Sequence, residues 1–168
     1  MFRLAWIVLL ALATCGCSTE PPKAYEIGHA IPLGQYVLAV ERSEMINLGV
    51  RGVLMVHFEV HSLARPRDFG PFFKAYRKAF TLIDGNGREF EGVALPEPTG
   101  RADWRSLADA LLKPSKSFDE MVERMGMNPE RWEAVFRVAG DTNHCKLRVE
   151  NEMRLPGQAG AVVVDLRW

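Results

Sequence analysis

The chain carries no surplus of either charge. Lys and Arg total 21, Asp and Glu total 21, and the net charge is zero. No overall field draws it to nucleic acid or to an acidic substrate, so nucleic-acid binding is not expected. Cysteine is scarce: Cys15, Cys17 and Cys145 are three thiols in 168 residues, too few for a disulfide framework. Long apolar runs are missing too. The longest, Leu4–Ala13, is half of the roughly 20 residues that a spanning helix needs. There is no Gly-x-Ser-x-Gly, no Cys-x-x-Cys and no phosphate loop. No spacing pairs carboxylates, and His29, His57, His61 and His144 are scattered. Nothing here marks an enzyme, and no cofactor is expected. What is present is ordinary globular material: 48% hydrophobic and 25% charged residues, in a length that suits one domain.

The N-terminal segment sets the compartment. Arg3 precedes "LAWIVLLALA", and small residues follow, which is the order of a secretory signal. "LATC" and "TCGC" resemble the lipobox of bacterial lipoproteins. That resemblance implies cutting before a cysteine, transfer of a diacylglycerol to its thiol, and acylation of the new N-terminus. Cys17 follows the usual small Gly16 but has Thr14 where Leu is expected; Cys15 has Leu12 at the right distance but follows Thr14. Cys17 is favoured, with Cys15 the alternative. Several acyl chains anchor stably where one does not. The segment therefore reads as signal peptide over 1–16, tether over 17–24 and domain over 25–168. The expected location is the cell envelope, lipid-anchored. In lipoproteins of that kind an Asp just after the cysteine retains the protein at the inner membrane; Ser18 or Gly16 stands there instead, so with two membranes the resemblance implies the outer one, facing the periplasm.

Beyond the tether the apolar residues alternate. Leu54, Val56, Phe58 and Val60 share one face of "RGVLMVHFEVH", with Met55, His57, Glu59 and His61 on the other. "QYVLAVE" is β-rich. "KAFTLID" and "REFEGVAL" flank "DGNG", a hairpin turn signal. Trp132, Ala134, Phe136 and Val138 share a face, as do Cys145, Leu147 and Val149, and Val162, Val164, Leu166 and Trp168. About seven strands result. Cys145 reads as a small buried hydrophobe. Over about 103–126 the period becomes helical: Trp104, Leu107, Ala108 and Leu111, then a capping box "SFDE" with Phe118, Met121, Val122 and Met125. The expected fold is mostly β, an immunoglobulin-like antiparallel β-sandwich with a short two-helix insertion.

"YVLAVE", "LMVHFEVHS", "FTLIDGNGREFE" and "AVFRVAGDTNHCKLRVE" resemble successive strands of the immunoglobulin-like, telokin-like domains of unknown function found in bacterial lipoproteins. The resemblance runs from Tyr25 to the C-terminus. It implies a fold and a compartment, not a reaction. "SLARPRDFGPFFKAYRK" and the helical insertion depart from that pattern.

Two stretches are candidates for function. Arg65, Arg67, Lys74, Arg77 and Lys78 interleave with Phe69, Phe72, Phe73 and Tyr76 in the connector 64–78. Cations beside exposed aromatics suit an anionic partner or a lipid headgroup surface. The competing reading packs these rings over the sandwich end. "HFEVH" invites a metal. On a strand, four residues span about 13 Å, so His57 and His61 do not share one ion; at most Glu59 and one His join partners from a neighbouring strand. The expectation is an envelope lipoprotein acting as a non-catalytic binding module through the connector, its partner another envelope protein or component. A metal-binding or enzymatic protein using the His57, Glu59 and His61 face is the alternative.

Overall fold

The computed structural model describes residues 22–98 and 127–166. The expected signal peptide, Cys15, Cys17, the expected helical insertion at about 103–126 and Trp168 lie outside the described residues. Nine strands and one helix follow in order: β1 Lys23–Glu26, β2 Ala30–Leu33, β3 Tyr36–Asn47, β4 Arg51–Ser62, α1 Gly70–Tyr76, β5 Phe80–Ile83, β6 Glu89–Pro98, β7 Met127–Ala139, β8 Lys146–Glu150 and β9 Ala161–Asp165.

Their hydrogen-bonded order is β1-β9-β8-β5-β6-β7-β4-β3-β2. β6 joins the two halves: Glu89–Glu91 pair with β5, and from Gly92 onward the strand pairs with β7. In a flat sheet β4 and β5, three strand steps apart, would lie about 14 Å from each other. Instead the rings of Phe58 on β4 and Phe80 on β5 stack at 5.1 Å. The sheet has folded over at β6 into two facing layers, and the expected mostly-β sandwich is what the chain forms.

The alternation read from the sequence is the core. Leu54, Val56, Phe58 and Val60 are fully buried, as are Trp132, Ala134, Phe136, Leu147 and Val164. Cys145 is a buried free thiol, and burial pushes its pKa up to about 11. The "DGNG" turn closes on Asp84: its Oδ1 accepts the backbone N–H groups of Asn86 and Arg88, both at 2.9 Å, and Oδ2 accepts Arg88 Nε at 2.7 Å. Gly87 sits at φ 78° in that turn, which only glycine adopts freely.

Three features differ from expectation. β1 pairs parallel with β9, Lys23 opposite Val162, so the tether expected over 17–24 gives up Lys23 and Ala24 to the sheet. Their side chains tolerate an exposed edge, where only the backbone is paired. β2 is a further short strand, on β3. Finally, the connector 64–78 contains a helix. Pro71 stands at its start, where a missing N–H is harmless. Phe69, Phe72 and Tyr76, at i, i+3 and i+7, point into the core.

Candidate functional site

The connector was expected to present its aromatic rings, and the structure corrects this. Phe72 and Tyr76 are fully buried and Phe69 is 7% exposed. Phe72 stacks on Tyr76 at 4.6 Å and meets Trp132 edge-on at 5.0 Å and Tyr36 at 5.2 Å. Large rings on a seven-residue helix have no other place to leave water. The Tyr76 hydroxyl donates to Asn151 Oδ1 at 2.8 Å and accepts the Met153 N–H at 3.3 Å, tying α1 to the β8–β9 loop. Burial pushes that phenol up to about 12. Phe73 is half-buried beneath the Arg77 guanidinium, 5.5 Å from its ring centre. Arg65, Arg67, Lys74 and Lys78 remain exposed. Arg67 is bonded to Glu130.

The polar face of β4 splits into two groups. His61 Nε2 and Glu59 Oε2 lie 3.5 Å apart, and Glu59 Oε1 is 3.5 Å from Arg131 Nε. All three are substantially exposed and form a surface charge cluster. His57 turns elsewhere. Its Nδ1 is 2.7 Å from Glu97 Oε1, and Glu133 stands opposite it on β7. His57, Glu59 and His61 therefore do not act as one set.

Two irregularities of the sheet surround or build the second group. A bulge in β3 between Val40 and Arg42 shifts the alternation, so Ser43 takes over the position opposite Val56 and Arg42 comes opposite His57. In β6 the register jumps between Pro96 and Glu97, and Glu97 reaches across β7 to His57. The result is one imidazole and two carboxylates whose nearest donor atoms all lie within 4.8 Å of one another.

This group lies on the sheet face opposite the core, yet it is scarcely open to solvent. His57 is 7% and Glu133 6% exposed, while the Glu97 side chain keeps 25%. Burial pushes the Glu133 carboxyl above the ordinary carboxylate range; His57 pulls it back, and the charges of Glu97 and Glu44 push it further. Among the described residues, Nε2 of His57 and Oε1 of Glu133 are buried without a hydrogen-bond partner. Of the three residues the sequence singled out only His57, since Glu97 and Glu133 carry no local signal.

No known family's sequence pattern matches this chain. No curated protein matches it either. Among solved structures it is similar to an uncharacterized β-sandwich protein from Clostridium difficile 630, with a TM-score of 0.51 at 7% identity over 87% of this chain and 95% of that one. The yjhA protein from Bacillus subtilis aligns over 85% of this chain and 99% of that one at 13% identity, with a TM-score of 0.38. The first likeness supports the β-sandwich fold, and at that identity it speaks to the fold alone.

Proposed function

We propose that this chain is an exported envelope lipoprotein of the immunoglobulin-like, telokin-like kind. Its sandwich acts as a non-catalytic binding module for an anionic envelope component, held to the membrane through Cys17 or Cys15. One observation carries the binding reading: the connector spends Phe69, Phe72 and Tyr76 on the core and leaves Arg65, Lys74 and Lys78 exposed along it. Their backbone is already held by the core, so only side-chain freedom is lost when they meet a partner.

The test takes the protein from membranes of its own host. The intact mass is expected to fit a chain starting at Cys17 plus acyl groups, a mass lost in Cys17→Ser. Chemical crosslinking of that anchored protein, beside a triple Arg65→Glu, Lys74→Glu, Lys78→Glu variant, reads the partner. The exposed sites leave the fold intact, so loss of the wild-type adducts supports the binding surface. An unmodified mass overturns the anchor, and an unchanged adduct pattern overturns the surface.

A further inference from the structure

We propose that His57, Glu97 and Glu133 form a binding site for a divalent transition-metal ion of the zinc class. The donor atoms of an imidazole and two carboxylates converge within 4.8 Å. Around a tetrahedral ion with bonds of about 2.0–2.2 Å, such atoms sit about 3.3 Å apart, so side-chain shifts of about 1 Å close the site. Shifts of that size need no backbone movement, because Glu97 and Glu133 are long side chains on a paired strand framework.

Two further observations separate this cluster from a surface charge group. His57 and Glu133 are both more than nine-tenths buried, and among the described residues His57 Nε2 and Glu133 Oε1 are left without hydrogen-bond partners. Polar atoms buried without partners are costly, and native proteins keep few of them. The two carboxylates and one imidazole also form a donor set of the kind that holds a divalent cation.

The ligand set selects the ion. Imidazole with carboxylates suits borderline ions such as Zn²⁺, whereas Mg²⁺ and Ca²⁺ take oxygen alone. Three protein ligands leave a fourth position for water or for an anionic group of a partner. Glu97 is the one member with appreciable exposure, and an entering ion would meet it first.

The experiment titrates the full chain, solubilised in detergent and stripped with a chelator, with Zn²⁺ alone in a calorimeter. Cys15→Ser and Cys17→Ser are introduced so that those thiols offer no competing site. One ion per chain is expected. His57→Ala, Glu133→Gln and Glu97→Gln should each weaken binding by at least about tenfold. Glu59→Gln and His61→Ala should leave it unchanged. Should a buried variant misfold, as circular dichroism would show, the partly exposed Glu97→Gln still decides. A folded chain that takes up no Zn²⁺ overturns the proposal. Binding that survives Glu97→Gln, or that depends on Glu59 or His61, also overturns it.

Discussion

Gly92 lies directly under the ring of Phe136. A Cβ built at Gly92 would stand 2.6 Å from Cζ of that ring and 2.7 Å from Cδ1. Gly92 is also where β6 leaves β5 and takes up β7, with Phe136 as its partner in the ladder. The fold-over of the sheet thus depends on a missing side chain. Gly92→Ala is expected to destabilise the protein by about 1–3 kcal/mol, read from the urea midpoint. Combining it with Phe136→Leu should recover part of the loss, because a smaller, flexible side chain can yield.

Phe72 is a core residue, not a contact residue. Its ring touches Tyr36, Tyr76 and Trp132. Phe72→Ala should cost about 3–5 kcal/mol. Lys74→Ala, two residues on and exposed, should change stability by less than about 0.5 kcal/mol. Chemical denaturation of the two variants side by side checks the assignment. Similar midpoints would place Phe72 at the surface.

Asp84 makes the hairpin turn sensitive to acid. Burial works against its charge, but hydrogen bonds from the backbone and side chain of Arg88 and the backbone of Asn86 outweigh it and hold the carboxyl below its ordinary value of 3.8. The native group therefore keeps its charge at a pH where the unfolded chain has taken up a proton. Its contribution is fully present above the ordinary carboxylate range and is lost as pH falls through the lower native value. At neutral pH Asp84→Asn should cost about 1–3 kcal/mol. Equilibrium unfolding followed downward from pH 6 should show wild type and variant converging in acid.

Glu133 acts in the opposite sense. Burial raises its native pKa above the ordinary 4.5. As pH rises from there through the native value, the unfolded chain releases its proton first and stability falls. Glu133→Gln has no charge to bury. In chelator-treated protein it should be the more stable by about 1 kcal/mol near neutral pH, with no advantage below pH 4.5. Thermal melts across pH read this directly.

Much of the sandwich was legible because its strands are half-buried. Leu54 to Val60 and Trp132 to Val138 alternate in the sequence as they do in the core, and "DGNG" marks the turn that Asp84 closes. α1 was less legible. Its i, i+3, i+7 rings and its Pro71 were helix signals, yet Pro66 and Gly70 made the stretch read as a connector. The His57 group was legible only in part. Strand alternation put His57 on the polar face, but Glu97 lies 40 residues away and reaches it only through a register jump. Glu133 meets it only because β4 pairs with β7 at that one register. Pairing between distant strands, and bulges within them, have no local sequence pattern.

The parallel pairing of β1 with β9 bears on mechanics. Lys23–Glu26 lies alongside Val162–Asp165, running in the same direction. A load that drags residue 22 away from the C-terminal end of β9 slides the two strands past each other lengthwise. Their hydrogen bonds then share the strain and fail together, where a hairpin peeled from its tip would give way one rung at a time. Against a load of that geometry the β1–β9 ladder resists as one unit.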